Sequence, residues 1–366
     1  MNSTMIPITK PFMPPQKEYE EYLKGIWQRE YLTNNGPLVQ GLEKDLENYL
    51  KVDHMRFVSN GTMALQIAIK ALGLEGEVIT TPFSYVATTS SIVWEGAKPV
   101  FVDIDPETLN INPAAIEKAI TPNTTGIVAT HVYGNPCDIE AIEKIANQYD
   151  LKVIYDAAHC FGGQYKGQSV FHYGDISVVS FHATKLFHTT EGGGLVTCDP
   201  ELEHKISRLR NFGHDGPGEF DGVGINGKNS EYHAAMGLCN LKYIDEIMER
   251  RKNQWLRYIS LLRNENTRGI KLNPKAHFNY AYFPLIFESE ERLLHVKQSL
   301  EENEIYPRRY FYPSLNELDY VEYKPAPHAE SISKRILCLP LYHGLKAEEQ
   351  DQIIGIINKY ELAKVS

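Results

Sequence analysis

Lys185 and Asp156 are the residues whose types and spacing best suit covalent chemistry in this sequence. Lys185 ends the segment SFHATK and precedes the glycine-rich turn EGGG at residues 191–194, whereas Asp156 ends the apolar run VIYD 29 residues earlier. An amine can hold an aldehyde cofactor as a Schiff base, and a carboxylate can keep a pyridine nitrogen protonated. With a hydroxyl and a glycine turn for a phosphate group, these residues predict an enzyme that uses pyridoxal 5'-phosphate.

The turn at Gly61 and Thr62 joins a predicted strand to a predicted helix and is a candidate phosphate site. Backbone N–H groups and the positive end of a helix dipole point at whatever occupies such a turn. Ser180, five residues before Lys185, is a second candidate phosphate contact. The alternatives are an ordinary helix cap at residues 59–62 and a serine that faces solvent from a strand.

The other candidate residues also have structural alternatives. Asp156 could cap a helix, and His159 could make a structural hydrogen bond instead of contacting the cofactor ring. Tyr85 could stack on that ring or pack in the core. An isolated lysine is usually solvated, but Lys185 lies between two strand-like runs, where burial would lower the pKa of its ammonium and favour the nucleophilic amine.

The composition excludes several classes of protein. The chain has 366 residues, with 47 acidic and 37 basic side chains and no block of lysine and arginine, so a nucleic-acid partner is not expected. No apolar run reaches the roughly 18–20 residues that span a bilayer, and the start of the chain lacks a secretion-signal pattern, which predicts a cytoplasmic protein without a membrane anchor. Five scattered cysteines without a CxxC motif predict neither a disulfide framework nor a metal site.

Short apolar runs alternate with helical patterns from about residue 40 to about residue 200, which is typical of a parallel sheet with crossover helices. The pattern from residue 231 to about residue 263 predicts one long helix with a bend. We predict a large cofactor-binding domain over residues 1–250 and a smaller C-terminal domain over residues 251–366.

Several separate stretches together resemble one family: TNNGPLV (33–39), SNGTMAL (59–65), PVFVD (99–103), HVYG (131–134) and LPL (339–341). In this order and spacing, the chain is similar to the sugar-nucleotide aminotransferases related to DegT, DnrJ, EryC1 and StrS. The resemblance implies the aspartate aminotransferase-like α/β fold of type I. That fold has a large domain with a mixed, mostly parallel seven-stranded sheet flanked by helices, and a smaller α+β domain.

The resemblance also implies roles for individual residues. Lys185 would form the Schiff base, Asp156 would pair with the ring nitrogen, and His159 would lie near the ring; these three are the catalytic candidates. Tyr85 would stack on the ring. The implied cofactor-binding set is Gly61, Thr62, Tyr85, Asp156, His159, Ser180, Lys185 and Asn226.

The segment GINGK at residues 224–228 resembles the family's Gly-x-Asn-x-Arg element, with Lys228 where arginine is common. The resemblance implies that Asn226 reaches the cofactor phosphate of a neighbouring subunit. A homodimer with shared active sites is therefore expected.

The turn at residues 182–185 and the following EGG resemble most the members that move the amino group of L-glutamate to C4 of dTDP-4-dehydro-6-deoxy-D-glucose. Three alternatives stay open: amination at C3 or of a GDP-linked 4-ketosugar, a sugar dehydratase, and a cofactor-binding regulator without turnover. Lys185 argues against the dehydratase, in which histidine replaces this lysine. The product could enter O-antigen and other lipopolysaccharide, another glycan or a secondary metabolite.

Overall fold

The structure, a computed structural model, describes residues 5–263 and 265–362. The α-helices of this part of the chain are α1 Gln16–Arg29, α2 Pro37–Leu50, α3 Gly61–Leu72, α4 Val86–Trp94, α5 Pro113–Ala119, α6 Ile139–Tyr149, α7 Pro200–Leu209, α8 Glu231–Leu241, α9 Ile244–Leu261, α10 Glu290–Glu302, α11 Pro327–Arg335 and α12 Ala347–Leu362. The strands are β1 Ile6–Pro7, β2 His54–Val58, β3 Glu77–Thr80, β4 Lys98–Phe101, β5 Thr124–Thr130, β6 Lys152–Asp156, β7 Gln164–Tyr165, β8 Gln168–Ser169, β9 Ile176–Ser180, β10 Gly193–Thr197, β11 Thr267–Arg268, β12 Ala276–His277, β13 Phe283–Phe287, β14 Ile305–Tyr306 and β15 Ile336–Leu339.

Seven strands form the central sheet in the order β2-β10-β9-β6-β5-β3-β4. Strand β10 is antiparallel to both of its neighbours, and the other pairings are parallel. This arrangement confirms the predicted mixed, mostly parallel sheet of seven strands. Its inner strands are apolar and buried along nearly their whole length, as expected for a sheet covered by helices on both faces.

Parallel strands bring their carboxyl ends to one edge of the sheet. Strands β5, β6 and β9 end at Thr130, Asp156 and Ser180, so three polar residues that are far apart in the chain meet at that edge. The site candidates therefore cluster because each ends a strand or lies in the turn that follows one.

The C-terminal part of the chain has its own sheet, in the order β11-β13-β15. A separate apolar cluster lies there, and it includes Leu285 of β13, Leu293 of α10 and Leu337 of β15. The predicted long helix from residue 231 is wrong in one respect, because α8 and α9 are separate helices. Tyr243 between them has φ −109° and ψ 2°, outside helical geometry.

The predicted domain boundary at residue 250 falls inside α9, whose residues Ile247 and Tyr258 pack into different apolar clusters. This helix therefore links the two packing regions, and the division into domains stays a prediction. Within the described residues, no helix is both long enough and apolar enough to cross a bilayer.

Candidate active site

A cavity of about 410 Å³ opens at the carboxyl edge of the central sheet. Its volume lies within the range of roughly 300–1,000 Å³ that is usual for small-molecule sites. The predicted residues that line it are Gly61, Thr62, Tyr85, Asp156, His159, Ser180 and Lys185.

Asp156 ends β6 and is only 5% exposed. Thr88 Oγ1 donates a hydrogen bond of 2.6 Å to Asp156 Oδ2, and the Ala158 N–H donates one of 3.2 Å to Oδ1. Burial raises the pKa of the Asp156 carboxyl, and these two hydrogen bonds oppose that rise because they favour the charged form. The site therefore holds a desolvated carboxylate whose orientation is fixed.

A chain of buried hydroxyl groups extends behind Asp156. Thr130 Oγ1 donates to Ser84 Oγ at 2.9 Å, and Ser84 Oγ lies 2.7 Å from Thr88 Oγ1. Because the single proton of Thr88 is directed at Asp156, Ser84 must donate its own proton to Thr88. In this hydroxyl relay of Thr130, Ser84 and Thr88, each hydroxyl thus donates its proton toward the Asp156 carboxylate. Sequence reasoning missed Thr88, whose only signal is a hydroxyl residue one helical turn after Tyr85.

Lys185 lies in the turn after β9, where its backbone N–H donates to the His182 carbonyl at 2.8 Å. Its Nζ donates to Tyr282 Oη at 3.4 Å. Burial lowers the pKa of the Lys185 ammonium, and the Asp156 carboxylate partly opposes that shift. A lowered pKa increases the fraction of nucleophilic amine at neutral pH.

The turn before α3 forms a cradle of backbone N–H groups. Asn60 caps this helix by accepting a hydrogen bond of 2.8 Å from the Met63 N–H, while the first N–H groups of a helix have no acceptor within it. A Cβ atom on Gly61 would lie 3.0 Å from Ser180 Cβ, so the Ser180 side chain adjoins the turn. The geometry supplies hydrogen-bond donors for a small anion.

Strand β10 approaches this turn closely. A Cβ atom on Gly193 would lie 2.5 Å from the Asn60 carbonyl carbon, a distance that no side chain tolerates. Glycine is required at position 193 for this reason, and the glycine-rich sequence after Lys185 shapes the cradle from the opposite side.

His159 is buried, and the Tyr133 N–H donates to its Nδ1 at 3.2 Å. Its ring lies parallel to the Phe311 ring, with the centroids 5.8 Å apart. Burial holds the pKa of His159 well below the ordinary histidine value, so the ring is neutral and carries its proton on Nε2. Tyr85 precedes α4 and is 53% exposed, so its ring is available to a ligand in the cavity that it lines.

Asn226 does not line the cavity of its own chain. Its Oδ1 accepts a hydrogen bond of 2.9 Å from Lys228 Nζ, which also lies 4.6 Å from the centroid of the Phe212 ring. The structure brings the other seven predicted residues together and leaves Asn226 on an exposed loop. Sequence reasoning also missed Tyr282 and Arg308, which line the cavity from the C-terminal region.

These residues fit pyridoxal 5'-phosphate. An amine of lowered pKa, a buried carboxylate and a cradle of N–H donors surround one cavity of suitable volume. Lys185 would bind the aldehyde, Asp156 the ring nitrogen, and the turn at Gly61 and Thr62 with Ser180 the phosphate.

Comparison with known proteins agrees with this geometry. The sequence model of the DegT/DnrJ/EryC1/StrS aminotransferase family matches residues 15–358. The chain is 44% identical to a dTDP-4-amino-4,6-dideoxy-D-glucose transaminase of Shigella dysenteriae, over 96% of this chain and 98% of the relative. It is 40% identical to a transaminase of the same name from Escherichia coli over the full length of both proteins.

Solved structures give the same result. The DesI crystal structure in the presence of its TDP-sugar product superposes with a TM-score of 0.93 at 31% identity, covering 99% of this chain and 94% of DesI. The PLP form of Spr1654, a putative sugar aminotransferase from Streptococcus pneumoniae, superposes with a TM-score of 0.90 at 25% identity, covering 98% of this chain and 99% of Spr1654. The expected aminotransferase fold is thereby confirmed. The chain belongs to the DegT/DnrJ/EryC1/StrS aminotransferase family, and it is a transaminase.

Proposed function

We propose that this enzyme moves the amino group of L-glutamate to the C4 ketone of dTDP-4-dehydro-6-deoxy-D-glucose and forms dTDP-4-amino-4,6-dideoxy-D-glucose. The observation that carries the proposal is the convergence of Lys185, Asp156 and the Gly61 turn on one cavity. The choice of sugar rests on two relatives, at 44% and 40% identity, that are named for this transaminase.

Pyridoxal phosphate, when bound, supplies an aldehyde that captures amines and a ring that accepts electrons. With the cofactor bound, Lys185 would hold the aldehyde between turnovers. During each half of the reaction, its Nζ would take up or deliver the proton at the substrate carbon that carries nitrogen. The lowered pKa of this amine suits both roles.

Asp156 would act electrostatically and keep a proton on the ring nitrogen of the bound cofactor. A cationic partner favours the charged form of a carboxylate. A protonated ring nitrogen would therefore offset the cost of burying the Asp156 carboxylate. Neutral His159 contributes no competing positive charge beside this pair. Tyr85, which lines the cavity and is exposed, would contact the ring.

The shared site of a homodimer is part of the proposal. The loop at residues 212–225 exposes four large apolar side chains, Phe212, Phe220, Val223 and Ile225, immediately before Asn226. An apolar surface beside an exposed asparagine is what a subunit contact would cover. A second copy seated there would receive Asn226 at its phosphate cradle.

Mixed dimers test this arrangement. Lys185→Ala and Asn226→Ala each damage a different half of a shared site, so a dimer that combines the two variants retains one intact site. Co-expression of both variants should restore about a quarter of wild-type activity, because about half of randomly paired dimers are mixed. If Asn226 acted within its own chain, the mixture would stay as inactive as its parents.

The substrate is tested directly by product analysis. The purified enzyme is incubated with L-glutamate and, in turn, dTDP- and GDP-linked 4-ketosugars and a dTDP-linked 3-ketosugar, and the product is identified by mass spectrometry and NMR. We expect nitrogen at C4 of the dTDP sugar alone. A GDP-linked aminosugar, nitrogen at C3 or a deoxysugar without nitrogen would each refute this assignment. The cytoplasmic location predicted from the sequence stays a prediction, which cell fractionation can check.

A further inference from the structure

Three side chains that the reaction does not use meet at the end of the central sheet opposite the active-site cavity. Asp53 precedes β2, Cys198 follows β10, and His172 ends a short 3₁₀ turn ahead of β9. Strands β2 and β10 are antiparallel, with His54 paired to Thr197, so the next position along each chain places Asp53 opposite Cys198. Strand β2, five residues long, separates this Asp–His–Cys cluster from the turn that cradles an anion in the active site.

The ligand atoms of the cluster lie at distances that suit a bound metal ion. A carboxylate oxygen of Asp53, a ring nitrogen of His172 and Cys198 Sγ all lie within 4.8 Å of one another. His172 Nδ1 and Cys198 Sγ are 3.3 Å apart. In a tetrahedral zinc site, Zn–N and Zn–S bonds of about 2.0 and 2.3 Å separate these two atoms by about 3.5 Å. A zinc ion therefore fits between them after only a small shift of the side chains.

A contact outside the cluster fixes the protonation of His172. Its Nε2 lies 2.7 Å from the Lys51 carbonyl oxygen, which can only accept a hydrogen bond. The proton of the neutral ring is therefore on Nε2, and Nδ1 presents its lone pair toward Cys198. Histidines that bind metals are usually oriented in this way, with the second ring nitrogen donating to a carbonyl or carboxylate. The His172 ring is thus oriented to bind a cation through Nδ1.

We propose that Asp53, His172 and Cys198 together bind one zinc ion, with water at the fourth coordination position. Imidazole and thiolate ligands favour zinc over magnesium and calcium, which prefer oxygen ligands. Binding forms a Zn–S bond and releases the thiol proton to solvent. Asp53 and Cys198 are exposed, so the ion and its water can reach the site.

The sequence gave no sign of this site because its ligands come from three distant segments and form no CxxC motif. The ion would join the segment before β2, the turn before β9 and the end of β10. Since zinc would bind the folded chain through all three segments, it should raise the midpoint of thermal unfolding as its free concentration rises above Kd. Transamination should not depend on it, because the cluster lies at the opposite end of the strands.

Titration of the holoenzyme with zinc tests the site. The enzyme is first freed of metal with a chelator, and calorimetry then measures the stoichiometry and affinity. We expect one ion per chain. Cys198→Ser and His172→Gln should each weaken affinity at least about 100-fold, because altering a group that merely supports a metal ligand already costs about 10- to 100-fold. His295→Gln on α10 is the matched control, since it removes an exposed histidine elsewhere and should leave the affinity unchanged.

Cobalt gives a spectroscopic readout of the ligands. Tetrahedral cobalt with a thiolate ligand has visible bands at longer wavelengths than the absorption of pyridoxal phosphate. These bands should appear in the wild-type holoenzyme and be lost in Cys198→Ser. Asp53→Asn keeps an oxygen ligand but loses its charge, so its affinity should fall between those of the wild type and Cys198→Ser. The absorbance of the cofactor bound to Lys185 shows that each variant is folded.

Zinc that binds the wild type and all three cluster variants equally would be an adventitious ion only, and the proposal would be overturned. The absence of a one-to-one site in the wild type, or a cobalt spectrum that Cys198→Ser leaves unchanged, would overturn it as well. Loss of affinity in Cys198→Ser with none in His172→Gln would also contradict a shared site. These measurements follow metal binding alone, so they do not depend on which sugar the enzyme aminates.

Discussion

Replacing Thr88 by valine tests whether the hydroxyl relay stabilises the charge on Asp156. The substitution keeps the shape of the side chain and removes the 2.6 Å hydrogen bond to Asp156 Oδ2. Hydrogen bonds to charged groups contribute about 1.5–3 kcal/mol. Because this hydrogen bond favours the charged form, the pKa of Asp156 should rise further in the variant.

The sign of the pH dependence follows from this shift. Burial already raises the pKa of Asp156 in the folded state, so the folded protein binds more protons than the unfolded chain between the two values. The contribution of Asp156 to the free energy of unfolding is therefore largest below the pKa that it has in the unfolded chain. That contribution is lost as pH rises through the pKa that it has in the folded protein. Thr88→Val removes a bond made to the charged form, so its cost should be small at acidic pH and reach about 1.5–3 kcal/mol at neutral pH.

Thermal unfolding of the cofactor-free protein between acidic and neutral pH measures this effect. Thr88→Ser is the control, because it keeps the hydroxyl and removes only a methyl group. Its cost should be the same at each pH. If Thr88→Val and Thr88→Ser showed the same pH profile, the hydroxyl would not stabilise the carboxylate, and the reasoning about the relay would be wrong.

Three further predictions concern two residues of the site and the glycine of β10 that lies against it. Lys185→Ala should bind pyridoxal phosphate without a covalent link, so that borohydride adds no mass to the protein, and turnover should fall by at least about 100-fold. Asp156→Asn should lower kcat much more than cofactor affinity measured by fluorescence titration, because the electrostatic role at the ring nitrogen is lost while the phosphate contacts remain. Gly193→Ala should lower the free energy of unfolding by about 1–3 kcal/mol in urea titrations and weaken cofactor binding, since its Cβ would collide with Asn60.

The sequence predicted most of the site because the relevant residues have local signals. Asp156 and Ser180 each end an apolar run that forms a buried strand, and Gly61 begins a helix directly after another strand. Strands β6 and β9 pair in parallel, and β2 runs in the same direction because the antiparallel strand β10 lies between β2 and β9. These chain positions therefore meet at one edge of the sheet. Lys185 is recognisable because glycines and strand-like runs flank it, which is an unusual setting for a surface lysine.

Residues that reach the site through tertiary packing had no such signal. Tyr282 contacts Lys185 across 97 positions of sequence, and Arg308 is placed by its pairing with Cys338 in a different sheet. The break between α8 and α9 was missed for a related reason: the helical pattern continues across Tyr243, and only the backbone geometry shows that the chain turns there.

The prediction about Asn226 concerns a second copy of the chain, so the structure of one chain does not test it. Its prediction came from the resemblance of residues 224–228 to a family element, and the cavity of the same chain does not include it. Seven predicted residues meet within one chain, whereas the eighth follows the loop that contains Phe220 and Val223, which are 64% and 79% exposed. Covering apolar side chains at that level of exposure is favourable, so the surface that displays Asn226 is one that would gain stability from a second copy. The mixed-dimer experiment is therefore the decisive test of the predicted contact between Asn226 and the phosphate cradle of a second copy, because the geometry of a single chain does not contain that contact.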